Sequence, residues 1–163
     1  MLAENLGITK SAIYHHVDGK EQLLQLALDN ALGGLEAILT DPRASRGAAD
    51  ARLEFVLRSA MDVLTDRLPS VTLLLRLRGN TEVERRAMER RRAFDRAVAS
   101  LVDEARAAGS VRDDIDARTT IRLLFGMINS IVEWFRSGGG PLTAKELADD
   151  VVKVAFEGIL RAR

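Results

Sequence analysis

From Glu82 to Ala107 the chain runs without a glycine or a proline, and Val83, Ala87, Phe94, Val98, Leu101 and Ala105 recur there at helical spacing. Residues three, four and seven apart share one face of an α-helix, whereas a half-buried strand would alternate. At 1.5 Å per residue such a helix is about 39 Å long, enough to span a small domain. One apolar stripe of that length has to be covered along its whole side, and the rest of the chain supplies helices to cover it.

Leu23, Leu24, Leu26, Ala27, Ala31, Leu35 and Ile38 predict an earlier helix starting near Gly19, with Asp18 and Glu21 spaced as a capping box. Gly33-Gly34 is expected to bend or fray it, Asp41-Pro42 to end it, and Pro42 to Gly47 to be a loop. Leu53, Val56, Leu57, Ala60 and Leu64 predict a helix from Ala49 to Arg67, followed by a short one from Val71 to Leu77. Gly109 reads as a C-cap, and Asp116 as the cap of a helix reaching Arg136. After Ser137-Gly138-Gly139-Gly140-Pro141, the box Thr143-Ala144-Lys145-Glu146 opens a last helix expected to run to the C-terminus. No strand pattern and no repeat of fixed period competes, so the fold class is all-α.

Composition narrows the chemistry. With 47% hydrophobic and 29% charged residues the chain is neither disordered nor membrane-spanning, and no signal peptide opens it, which points to the cytoplasm. Cysteine is absent, which removes disulfides, thiolate metal sites and cysteine nucleophiles. His15 and His16 are adjacent and have no third His or Cys to complete a metal site, so no metal and no cofactor is expected. Lys plus Arg equals Asp plus Glu at 24 each, so any contact with nucleic acid has to be local.

The opening stretch is where such a contact is expected. Leu2 to Leu6 carry a short helical pattern, Gly7 breaks it, and a second helix restarts around Thr9 to Ser11, which is the arrangement of a helix-turn-helix. Thr9, Lys10, Ser11, Tyr14, His15 and Lys20 gather hydrogen-bond donors within a few turns, as phosphates and base edges require. Taken alone, the same residues also suit an ordinary solvated turn between helices.

The run Leu2 to Leu24 closely resembles the DNA-binding signature of TetR-type transcriptional repressors, with Ala12, Tyr14, His15, His16, Lys20, Glu21 and Leu23 matching position by position. The resemblance implies that Thr9, Lys10, Ser11, Tyr14 and His15 touch double-stranded DNA and that Lys20 holds a phosphate. Val17 stands where the family usually has Phe, and Gly19 where Ser is commoner. The first helix of the family's reading head and the start of the second do not precede Met1, so a shortened start is expected. Ala108 to Asp116 and Leu123 to Met127 resemble the family's connection to its penultimate helix and that helix itself. Leu123 to Pro141, with Trp134-Phe135-Arg136 before a Gly-rich break, is similar to regulators of catabolic pathways that respond to acyl-CoA thioesters.

The last two helices carry more apolar surface than one core needs. Ile121, Phe125, Ile128, Val132 and Phe135 form one stripe, and Leu123, Met127 and Trp134 with Ser130 form another. Two such helices from each of two copies would build an isologous four-helix interface, so a homodimer is expected, with Ile128, Phe135, Val151, Val154 and Ile159 at its interface. Most arginines between Arg85 and Arg96 read as a salt-bridged solvated face. Arg91 is the exception, because it falls on the apolar stripe between Ala87 and Phe94 and needs an anionic partner. Asn129 is either a satisfied core amide or a polar handle in a ligand pocket, with Met61, Leu64, Phe94, Met127 and Trp134 as its apolar lining or simply as core.

The expectation is therefore a homodimeric all-α regulator. Residues 1–34 would form the partial DNA-binding domain with the start of the connecting helix, and 35–163 the ligand-binding and dimerisation domain. A small apolar or acyl-CoA-like effector would release it from a palindromic operator. The rival readings are a dimeric ligand-binding bundle without DNA binding and, among enzymes, a phosphotransfer module using His15 or His16. No pair of acid and base suggests other catalysis.

Overall fold

The long helix lies between three others, and its two ends are fixed by its own sequence. In the computed structural model, which describes residues 19–136 and 140–158, the helices are α1 (Lys20–Thr40), α2 (Pro42–Ser45), α3 (Ala49–Asp66), α4 (Leu68–Leu75), α5 (Glu82–Ala107), α6 (Ala117–Trp134) and α7 (Ala144–Glu157). α5 packs on α1, α3 and α6, α3 on α1 and α7, and α4 fits between α1 and α6. No strand occurs among the described residues, and no helix of theirs is long and apolar enough to cross a membrane.

Helix ends follow their capping chemistry. Thr81 accepts from the Glu84 amide at the start of α5, and the Glu84 carboxylate in turn accepts from the amides of Arg78, Gly79 and Asn80. Those bonds hold the Glu84 carboxyl below its ordinary value. Asp116 caps α6 through the Thr119 amide at 3.0 Å, and Thr143 with Glu146 forms the reciprocal box at the start of α7. After α5, Gly109 adopts φ 76°, a left-handed turn that lets Ser110 N–H return to the Ala105 carbonyl at 3.0 Å.

α1 opens at its N-cap Gly19, at φ 99°, which offers no side chain; the expected Asp18 cap lies outside the described residues. Three expectations change. Gly33-Gly34 does not interrupt α1; Gly34 is buried, and a Cβ there would lie 2.8 Å from Arg67 Nη1 and 3.0 Å from Val63 Cγ1. The pair thus permits close helix packing instead of bending. Pro42 to Ser45 is helical because Pro42 stands at N1 and Asp41 accepts from the Arg43 amide at 2.8 Å. Finally, α7 stops at Glu157, where Gly158 turns to φ 77°.

The core gathers where α1, α3, α5 and α6 meet, with Leu28, Leu32, Leu57, Met61, Leu64, Val98, Val102, Ile128 and Ile131 almost wholly buried. Each of the larger side chains contributes about 1.5–3 kcal/mol on removal from water. Charged side chains tie the helices at the rim. Arg90 grips Glu36 of α1 through two bonds of 2.7 Å and reaches Asp29 at 2.5 Å, while Arg58 of α3 joins Glu54 to Asp149 of α7. The Arg90 guanidinium holds the Glu36 carboxyl below its ordinary value.

Candidate ligand site

α6 has three distinct sides. At about 100° per residue, Arg118, Arg122, Phe125 and Asn129 fall within about 60° of one another on one side. Ile121, Ile128 and Ile131 are buried in the core on the next. Leu123, Met127, Ser130 and Trp134 make the third side, on which Leu123 is 63% exposed and Trp134 53%.

The first of these sides forms one wall of a cleft of about 680 Å³ whose other wall is α5. Five arginines line it: Arg91, Arg92 and Arg96 from α5, and Arg118 and Arg122 from α6. None of the five has a side-chain hydrogen bond or ion pair among the described residues, although Arg85, Arg86 and Arg90 on the preceding turns of α5 are all paired. Five guanidinium groups against the two carboxylates of Asp95 and Asp103 leave the cleft a cationic surface suited to phosphate and carboxylate, which arginines bind through paired N–H groups.

At its inner edge the cleft meets a small apolar pocket of about 30 Å³, walled by Leu64, Val71, Leu74, Phe94 and Ile128 among others. Arg91, Asp95, Phe125 and Asn129 line both spaces and so form the neck between them. The Phe125 ring meets Phe94 edge-on, centroids 5.7 Å apart and planes at 70°. The Asn129 amide is half-buried and has no side-chain hydrogen bond among the described residues, so it is not a satisfied core amide. Burial pushes the Asp95 carboxyl above its ordinary 3.8, against the pull of Arg91 and Arg96.

The residues expected to bind ligand fall into two groups. Leu64, Arg91, Phe94 and Asn129 come together around the pocket and its neck. Met61 is buried in the core, Met127 is half-buried on another side of α6, and Trp134 is exposed; none of the three lines either space. Arg92, Arg96, Arg118, Arg122 and Phe125 line the site and were not singled out as ligand contacts by the sequence.

The residues expected at a dimer interface also separate. Ile128, Phe135 and Val151 are buried inside the single chain, each about 5% exposed or less, so they are not available to a second copy. Val154 is 44% exposed and shares α7 with Phe156 at 40%, while Ile159 lies outside the described residues. The apolar side left open on α6 is the stripe of Leu123 and Trp134. Of the residues expected to touch DNA, Thr9, Lys10, Ser11, Tyr14 and His15 lie outside the described residues, and Lys20 is exposed at the first turn of α1.

The described residues thus form an all-α bundle whose arginine-lined cleft opens onto an apolar pocket. Residues 46–159 match the family model described as tetracyclin repressor-like, C-terminal domain. SCO3833 of Streptomyces coelicolor A3, a TetR-family regulator of known crystal structure, is 51% identical, with TM-score 0.86 over 95% of this chain and 78% of that one. The chain belongs to the TetR family of transcriptional regulators. It is 23% identical to the HTH-type transcriptional repressor KstR2 of Mycolicibacterium smegmatis, across 99% of this chain and 80% of that protein. It shares its fold with AibR, solved in complex with isovaleryl coenzyme A and operator DNA, at 22% identity and TM-score 0.76 over 96% of this chain and 86% of AibR.

Proposed function

We propose that the protein is a DNA-binding transcriptional repressor, acting as a two-fold dimer in the cytoplasm, that leaves its operator when an acyl-CoA-like anion occupies the cleft between α5 and α6. No catalysis is assigned to it. The observation that carries the effector class is the juxtaposition of five unpaired arginines with an apolar pocket. A thioester of this class carries several phosphates on one end and a hydrocarbon on the other, and its carbonyl suits the free amide of Asn129 at the neck. The AibR complex, with a ligand of this class and operator DNA on the same fold, supports the reading.

The route from cleft to DNA runs through α5. Arg91 lines the cleft, and its neighbour Arg90 grips Glu36 and Asp29 of α1, the helix that leads back to the segment resembling a DNA reader. An effector that binds one placement of α5 and α6 more tightly shifts α1 with them, and that difference in affinity releases DNA. Thr9, Lys10, Ser11, Tyr14 and His15 would face the operator, and Lys20 would stand beside the free amides of the first turn of α1, which favour a phosphate.

A gel shift with the DNA upstream of its own gene tests the reading. The chain binds a palindromic fragment, and acyl-CoA thioesters release it. The double variant Arg91→Ala, Arg122→Ala binds the same DNA and needs at least about tenfold more thioester for release, since each lost charge-assisted contact removes about 1.5–3 kcal/mol. Release that is equally sensitive in the variant, or absent in a wild type that does bind the DNA, would overturn the assignment of the cleft.

A further inference from the structure

We propose that the effector's acyl group is short and that Phe125 sets the length admitted; the inference rests on the reading of the cleft as the site of an acyl-CoA-like anion. The outer cleft is roomy and polar, and the inner pocket is neither. Its volume of about 30 Å³ takes roughly two or three water-sized groups before a wall has to move. Those walls are core side chains. Leu64, Leu74, Phe94 and Ile128 are all nearly inaccessible to solvent and are packed by α3, α4, α5 and α6 respectively. A longer hydrocarbon chain would have to displace them from well-packed positions.

Phe125 is the apolar member of the neck. Arg91, Asp95 and Asn129 complete that neck and suit the polar end of a thioester, so the hydrocarbon passes beside the Phe125 ring. Phe94, 3% exposed, backs the ring edge-on and closes the way further inward. Removing the Phe125 ring widens the neck between cleft and pocket and leaves an apolar space that a longer hydrocarbon can fill.

Calorimetric titration of the full chain with free CoA and with acetyl-, butanoyl-, octanoyl- and dodecanoyl-CoA reads the length directly. In the wild type, affinity rises by about fourfold for each methylene that fits and is already falling at octanoyl-CoA. In Phe125→Ala the maximum moves to octanoyl-CoA or beyond, and Phe125→Leu, which keeps the core filled, moves it in the same direction by less. Should Phe125→Ala fail to fold by circular dichroism, Phe125→Leu and the wild-type profile decide. Wild-type binding of octanoyl- or dodecanoyl-CoA as tight as that of butanoyl-CoA overturns the inference, as does a profile unmoved by the substitutions. If neither free CoA nor any thioester binds the wild type, the underlying reading of the cleft falls, and this inference with it.

Discussion

Asp95 stands in the neck between Arg91 and Arg96, a carboxylate where an anionic ligand has to approach. Its negative charge repels that ligand. Asp95→Asn removes the charge and keeps the shape, so thioester affinity should rise by about threefold to tenfold, as measured by calorimetry. A fall in affinity would mean that Asp95 instead holds the two guanidiniums in place. Stability gives a second reading of the same group. Because burial raises its folded-state pKa, its contribution to stability is fully present below the ordinary 3.8 and lost as pH rises through the higher folded value. Asp95→Asn should therefore be the more stable form at pH 7, with the difference closing as urea unfolding is repeated toward pH 4. Part of this site was legible at the residue scale: Arg91 and Asn129 stood out because each broke an apolar stripe. Arg92 and Arg96 did not, since acids at helical spacing, such as Glu89 before Arg92, read as partners until the structure shows that they do not pair. Arg118 and Arg122 join the site only through the rotation of α6 against α5, which no local pattern states.

The helices themselves were almost fully readable, because their ends are written in caps and their faces in apolar spacing. What periodicity cannot decide is which of two apolar stripes turns inward. On α6 both the Ile128 stripe and the Leu123 stripe are greasy, and only packing on α3 and α5 buries the first and leaves the second open. The glycine pair of α1 was misjudged for a related reason, since two adjacent glycines look alike in sequence and meet different neighbours in space. A Cβ on Gly33 meets nothing within 4 Å, whereas one on Gly34 runs into Arg67 and Val63. Gly33→Ala should stabilise the protein by about 0.5–1 kcal/mol, the helix-propensity gain. Gly34→Ala should instead push Arg67 away from the Asn30 carbonyl that it holds, and lower the melting temperature. Thermal unfolding of the two single variants side by side checks the contrast; equal gains would mean that Arg67 yields without cost.

At the scale of the whole molecule, α6 turns its cleft-lining side and its open apolar stripe in nearly opposite directions. Arg118, Arg122, Phe125 and Asn129 face the cleft, while Leu123 and Trp134 point the other way, about 130–150° round the helix from the middle of that side. A second copy related by a two-fold axis would cover that open stripe with its own. Trp134 carries the largest apolar area of the stripe, and buried aromatic anchors of that kind are worth about 2 kcal/mol or more at an interface. Leu123→Lys combined with Trp134→Lys should weaken the dimer by well over about thirtyfold, so that sedimentation velocity shows a monomer at micromolar concentration. Since neither residue lines the cleft, thioester binding should persist in the monomer while affinity for a palindromic operator collapses. A variant that remains dimeric and still binds the operator would place the subunit contact elsewhere on the bundle. One that becomes monomeric and loses thioester binding as well would show that the cleft is completed only in the dimer.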